Sequence, residues 1–419
     1  MKFIYNIDKN EYEQFVKGHK KSHFLQGYTW GEFCKISKGL IPHYVGLKEN
    51  NNIIASALLL QKKLPLGYSY FYCPRGYVID FENLEILNFF TDSIKKFIKD
   101  KKGIFLKIDP DIIWKLRDPK DNLLQLNYDP NLIFDNLKKV GFKHLGFNKG
   151  FERNQPRFTF RLKFNGSLEN VKNNFHSTTK KIISKGNPYQ LEIYKNDIKL
   201  IDDFYTTMIE TAKRETITQY SKEYYKNFYE VLHKENNSDF YVVIADIKKI
   251  KKQQKKKVSD LENEISILTS PSKKQELNNQ ILKIKKIITE LEEIKEDRLP
   301  LSSIITTKYG NKVWTIHGGN HSKLRGLNAN YLIYYEIIKD AINEGYETID
   351  FFGTVDNPRK DNPEYGIHLF KKRLNGDYVE FLGEFDLITN PILYFIFIKL
   401  VPLYRKFILK FTRKKQIRR

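Results

Sequence analysis

Two adjacent lysines, Lys371 and Lys372, break the apolar and aromatic run "IHLFKKRL". On a helix, Phe370 and Leu374 share one face and turn both lysines sideways. Two cations beside the amides of a helix start can hold a pyrophosphate; the same pair on a helix surface is solvated charge. Upstream, "HGGNHSKLRGLNANYLIYYEIIKDAINEG" sets Gly318 and Gly319 between a strand-like stretch and a helix beginning near Asn328. A glycine turn followed by helix amides can receive a phosphate or an acyl oxygen, and a purely structural turn is the other reading. His317, His321, Asp350 and Asp356 occur nearby in no order that suits a metal. The chain has no dinucleotide fingerprint, Walker A loop, H-E-x-x-H, Cys/His cluster or nucleophile elbow, so neither a cofactor nor a metal is expected.

The elements that must position these residues are mixed α and β. "HYVGLKENNNIIASALLLQKKL" reads as two strands about a polar turn, "YSYFYCPRGYVI" as a third, and "IFLKIDPD" as one ending at Asp109-Pro110. "NLEILNFFTDSIKKFIKDKKG" has helical periodicity. A second α/β set begins near Gln155 with the alternating "RFTFRLKF", followed by the expected helix "SLENVKNNFHSTTKKIISKG" and two more before the strand "FYVVIAD". The similar content of the two sets invites the idea of an internal duplication.

Between Ile247 and Arg298 the pattern changes. Val258, Leu261, Ile265 and Leu268, then Leu277, Ile281, Ile284, Ile288 and Leu291, recur at spacings of three and four on either side of "TSPSKK". That spacing predicts two antiparallel helices zipped as a coiled-coil hairpin, interrupting the second α/β set. Its first helix opens with seven lysines in ten residues, either a solvated spacer or a basic arm for an RNA backbone.

The whole chain of 419 residues carries a formal charge of +22, which favours an anionic partner. Cys34 and Cys73 make no disulfide framework, and "MKFIYNIDKNEYEQF" lacks the apolar core of a signal peptide, so the cytoplasm is the expected compartment. The C-terminal stretch turns from apolar, Pro391–Ile398, to basic, with eight Lys or Arg and no acid from Val401 to Arg419. It falls short of the roughly 20 apolar residues that span a bilayer. An interfacial segment at the inner face of the plasma membrane is expected, a docked helix with a basic end and a true anchor being the alternatives.

Taken together, "HFLQGYTWGEF" (23–33), "YFYCPRGYVID" (70–80), "LKIDPD" (106–111), the segment 316–353 and "NPEYGIHLFKKRLNGDYVEFLGEFD" (362–386) resemble the Fem family of peptidoglycan bridge-building aminoacyltransferases, the FemA, FemB, FemX and MurM group. The resemblance implies an α/β fold of two N-acetyltransferase-like (GNAT) domains, with the antiparallel coiled-coil hairpin inserted in the second. The corresponding boundaries are 1–154, 155–246, 247–298, 299–388 and a tail from 389. It implies transfer of an amino acid from aminoacyl-tRNA to a stem-peptide amine of a cell-wall precursor, lipid II or its soluble nucleotide form. Phe370, Lys371, Lys372 and Asp109 then fall at the transfer site. Lys35, Arg75, Tyr220 and Tyr224 fall among precursor contacts, and Gly318 and Gly319 on an acyl or phosphate loop. Tyr220 stands where relatives often carry an arginine, which favours a lipid-linked acceptor. A CoA-dependent N-acyltransferase and a nonenzymatic RNA-binding scaffold are the competing readings.

Overall fold

A computed structural model of the chain describes residues 1–164, 166–215 and 218–400. The basic end from Val401 lies outside the described residues. The chain divides into two compact units. One comprises Met1–Thr159, Gly353–Asp356 and the chain from Tyr378; the other comprises Phe160–Phe352 and Asn357–Asp377.

The first unit contains β1 (Lys2–Tyr5), α1 (Lys9–Gly18), α2 (Tyr28–Lys38), β2 (Ile41–Glu49), β3 (Asn52–Lys63), β4 (Ser69–Cys73), α3 (Leu84–Asp100), β5 (Gly103–Ile108), β6 (Ile113–Arg117), β7 (Leu123–Leu124), α4 (Pro130–Lys139) and β8 (Phe142–His144). The expected hairpin is β2–β3, turning at Asn50 and Asn51, both with left-handed backbone. Helix α3 starts where the Asn83 side chain accepts from the Ile86 amide. It buries Leu87, Phe90, Ile94 and Ile98 at helical spacing and carries the chain from β4 to its parallel neighbour β5.

The second unit runs through β9 (Phe158–Lys163), α5 (Leu168–Asn174), α6 (Ser177–Ile183), β10 (Glu192–Lys195), α7 (Ile201–Glu215), α8 (Lys222–His233), β11 (Ser238–Asp246), α9 (Ile247–Ile267), α10 (Pro271–Glu292), β12 (Arg298–Tyr309), β13 (Lys312–Asn320), α11 (Ala329–Asn343), β14 (Thr348–Asp350) and α12 (Tyr365–Lys372). Its strands are ordered β10-β11-β12-β13-β14-β9. Every pair is antiparallel except β13 and β14, which α11 connects. Each unit therefore holds one parallel pair with a crossover helix among antiparallel strands. The single helix expected over 167–186 is two, α5 and α6, because Phe175 turns extended at the end of α5 and His176 caps α6 through its side chain.

Helices α9 and α10 leave β11 and return to β12, their base closed by the Ile247 amide donating to the Asp297 carbonyl at 2.9 Å. Val258, Ile281 and Ile284 form their buried seam, flanked by Leu261, Ile265 and Ile288. Glu292 pairs with Lys251 and Lys255 while Glu262 pairs with Lys285, an order that only oppositely directed helices allow. Leu268, expected on the same stripe, is extended and ends α9.

Sequence order misplaces the end of the chain. The strands β15 (Asp377–Phe381) and β16 (Phe385–Ile388) were expected to close the second domain. Instead β16 alone departs from that expectation, pairing with both β5 and β8 and completing the first unit's sheet as β1-β2-β3-β4-β5-β16-β8. The reason is burial: Phe385 and Leu387 are fully enclosed in that sheet's core with Leu106 and Ile108. The short α13 (Pro391–Phe395) follows on the same unit.

The expected glycine turn is also displaced. Gly318 and Gly319 lie within β13, opposite Ile304 and Ser303 of β12. A Cβ on Gly319 would stand 2.6 Å from the Thr207 carbonyl carbon and 2.7 Å from the Met208 nitrogen, so glycine there lets α7 press its backbone onto the sheet. At Gly318 a Cβ would meet only ordinary contacts, at 3.6 Å and beyond. Gly319→Ala should therefore cost about 1–3 kcal/mol, seen as a lower urea midpoint. Gly318→Ala should stay within about 0.5 kcal/mol of the parent.

Candidate active site

In the first unit the parallel register sets Cys73 beside Ile108, so the chain leaves both strands side by side, into Pro74-Arg75 and Asp109-Pro110. Arg75 adopts a left-handed backbone (φ 53°) that turns its amide onto Asp109 Oδ1 at 2.6 Å. The Tyr72 hydroxyl donates to Oδ2 at 2.6 Å. Asp109 is only 2% exposed. Burial pushes its carboxyl up to about 6, against the Arg75 charge and the hydrogen bonds from Tyr72 and the Arg75 amide, which pull it down. A fixed carboxyl that changes charge just below neutrality can orient an amine or take its proton.

Arg75 itself is buried. Its Nη2 donates to the Pro156 carbonyl at 2.7 Å and its guanidinium lies 4.2 Å from the centre of the Phe381 ring. Those contacts make it a support for Asp109 rather than a freely offered cation, while its buried Nε has no hydrogen-bond partner among the described residues. Lys35, on α2, is largely exposed, with Glu32 of its own helix 4.0 Å away.

The second unit repeats the device. β13 and β14 share three registers, ending at Trp314 opposite Asp350. They then part: β13 continues along β12 to Asn320, whereas the Phe351 amide donates to the Phe160 carbonyl. Asp350 accepts from Arg161 Nε at 2.7 Å and from the Phe352 amide at 2.8 Å. Phe352 is left-handed (φ 54°), and its carbonyl accepts from Lys371 Nζ at 2.7 Å.

The lysine pair is thus not a matched surface clamp. Neighbouring helix residues point about 100° apart. Lys371 faces inward and is 5% exposed, while Lys372 is half-buried at the end of α12. Leu374 packs inward as expected, but Lys371 and His368 share the inner side of α12, and Phe370 lies against Tyr331 and Tyr334 with ring centres at 5.0 and 4.9 Å. The Arg373 carbonyl, accepting from the His176 amide and the Thr179 hydroxyl, fixes the end of the helix. Burial pushes the Lys371 ammonium down to about 7, with the Asp350 carboxylate opposing the shift. This amine can be present in both protonation states near neutral pH.

Tyr220 and Tyr224 also come together, stacked with ring centres 4.0 Å apart at the start of α8. His317 of β13 meets both rings edge-on, together with Tyr225 and Phe228. Half-exposed Tyr220 offers a flat face on which a ring can stack. Sequence reasoning missed Tyr72, Arg161 and the role of Asp350. A signal existed in "KIDP" and "TIDF", each placing Ile-Asp at the end of the second strand of a parallel pair.

Two mixed sheets, each with a splayed parallel pair and buried ionisable groups at the strand ends, define an α/β fold with a candidate site in each unit. Residues 7–400 match the family model described as the FemAB family, and the chain belongs to that family. It is 28% identical over 427 residues to the Lipid II:glycine glycyltransferase of Staphylococcus aureus, with 98% of each chain covered. The crystal structure of FemX superposes with a TM-score of 0.74 at 27% identity, over 94% of this chain and 99% of that one. Aminoacyl transfer in building the peptidoglycan interpeptide bridge is the activity consistent with this family.

Lys371 makes a stability prediction with a definite sign. Its folded pKa lies below its unfolded value, so between about pH 7 and 10.5 the unfolded chain binds more protons and stability rises with pH. Lowering the pH from 10 to 7 should shift the stability difference toward Lys371→Met by a few kcal/mol, measured by denaturant unfolding at each pH.

Proposed function

We propose that this protein transfers an amino acid from aminoacyl-tRNA to an amine on the stem peptide of lipid II. The observation that carries this reading is the pair of buried groups, Asp109 just beyond β5 and Lys371 on α12 reaching the Phe352 carbonyl beyond β14, each changing charge near neutrality. Support comes from the family match and from the staphylococcal relative, whose name specifies lipid II and a glycyl group.

In the proposed step the amine nitrogen attacks the ester carbonyl carbon. The new C–N bond forms as the C–O bond to the tRNA ribose breaks, and the proton lost by nitrogen reaches the departing ribose oxygen. No acyl-enzyme is needed, so the protein's part is to orient the reactants and stabilise charge. Asp109, held by Tyr72 and the Arg75 amide, orients the amine. Lys371 as ammonium offsets the negative charge that develops on the acyl-tRNA side, with Lys372 and the Phe370 backbone contacting the same donor. The stacked Tyr220 and Tyr224 receive the precursor, with Lys35 as a further contact. On the helical arm, Lys248, Lys251 and Lys255 pair with acids, whereas Lys249, Lys252, Lys256 and Lys257 make no ion pair among the described residues. Those four suit an RNA backbone, with the arm acting as the inserted coiled-coil module.

The direct test incubates the full chain with a panel of charged tRNAs and either lipid II or its nucleotide-linked form, with products weighed by mass spectrometry. One or more added residues on the stem peptide is the expected outcome; none in any combination, or transfer from an acyl-CoA instead, overturns the proposal. Lys371→Ala should lower kcat by about 10²- to 10³-fold. With Asp109 needed as carboxylate and Lys371 as ammonium, kcat/KM should rise through about pH 6 and fall through about pH 7. Lys371→Arg, which keeps its charge, should flatten the alkaline limb.

A further inference from the structure

The first unit bears an apolar surface for which its own packing has no use. The segment from Pro391 to Leu400 is half anchored. The Tyr394 hydroxyl donates to Asp386 Oδ2 at 2.7 Å, the Tyr394 ring meets Phe105, and Phe397 packs against Tyr70 and Phe105. The other half faces outward: Ile392 is 75% exposed and Phe395 58%, with Ile396 and Leu400 also exposed. Steps of three, one and four residues gather these four on one side.

The same cluster includes Leu64 and Tyr68, which flank the turn between β3 and β4. At the tip of that turn Leu66 is 89% exposed with left-handed backbone (φ 60°), a conformation and a position that disfavour a large aliphatic residue. Lysines rim the surface. Lys62, Lys63 and Lys399 are exposed, and the Lys102 ammonium comes within 3.9 Å of the Cβ position of Gly67. The stretches 62–79 and 391–400 contain no acidic residue, and the chain continues with eight Lys or Arg and no acid from 401 to 419.

We propose that the Leu66 turn and the outer side of Ile392–Leu400 form a docking surface that seats in the interfacial zone of an anionic lipid bilayer. Charge selects this occupant over the others. A second copy would bring its own lysine rim and its +22 charge against the first, and the basic residues beyond 400 carry the same sign as the rim. Anionic headgroups complement the lysines while the apolar tips enter the acyl boundary. No helix among the described residues is long and apolar enough to cross a membrane, so the segment lies along the surface. This inference stands apart from the proposed transfer reaction.

The test uses the full chain carrying Leu66→Trp or Phe395→Trp, with Leu123→Trp as an exposed position outside the cluster. Each is mixed with phosphatidylcholine vesicles, with and without phosphatidylglycerol, containing lipids brominated on the acyl chains. Quenching and a blue shift at positions 66 and 395, only with the anionic vesicles and not at 123, is the expected result. Leu66→Ser and Phe395→Ser should each weaken partitioning about tenfold while transfer to a water-soluble acceptor peptide is unchanged. Sedimentation with vesicles without quenching at either site would overturn the proposal, leaving the basic tail as the contact. A blue shift without vesicles would also overturn it. Concentration dependence would then indicate a second copy, and its absence would mean that the chain's own end covers the patch. Loss of transfer with vesicle binding intact would count against the reaction alone.

Discussion

A parallel strand pair inside an otherwise antiparallel sheet imposes a constraint that organises this molecule. Its strands cannot be joined by a tight turn, so a helix must cross over, as α3 and α11 do, and both strands then end at the same edge. At that edge the ladder stops while polar backbone groups remain to be satisfied. Both units use an aspartate for this, Asp109 holding the Arg75 amide and Asp350 the Phe352 amide. The turned backbone is left-handed in both cases, at Arg75 and at Phe352. The ionisable groups at each strand end are thus a by-product of how that unit's sheet terminates.

The two ends differ in how their carboxylate is balanced. Asp350 has the Arg161 guanidinium against it, and the carbonyl it helps to position takes up a second cation, Lys371. Asp109 has no such direct ion pair among the described residues; a backbone amide and a phenol face it, and burial leaves its proton loosely settled. One architecture thereby yields an amine and a carboxyl whose affinities for protons approach one another, the condition for acid–base work at neutral pH.

Much of this was legible in the sequence where the signal is local. The polar turn of β2–β3, the apolar stripes of α9 and α10 and the strand ending at Asp109 follow from periodicity and turn chemistry. What failed was whatever depends on distant partners. The local pattern left Lys371 open between an anion clamp and surface charge, and did not show its burial, because the inner side of α12, with His368 and Lys371, inverts the usual apolar stripe. Gly318 and Gly319 looked like a loop because the helix α7 that crowds Gly319 lies about a hundred residues earlier. Tyr72 and Arg75 carried no mark of partnership with Asp109, more than 30 positions away.

The position of β16 bears on the order in which the chain can fold as it is made. That strand, residues 385–388, fills the gap between β5 and β8, which are complete by residue 144. During synthesis the first sheet must wait, with the buried edges of β5 and β8 unpaired, while some 240 further residues emerge. The second unit meets no such delay, since all its segments precede residue 378. The half of the protein that leaves the ribosome first is therefore the last to close, and its open strand edges are the part of the nascent chain most in need of protection.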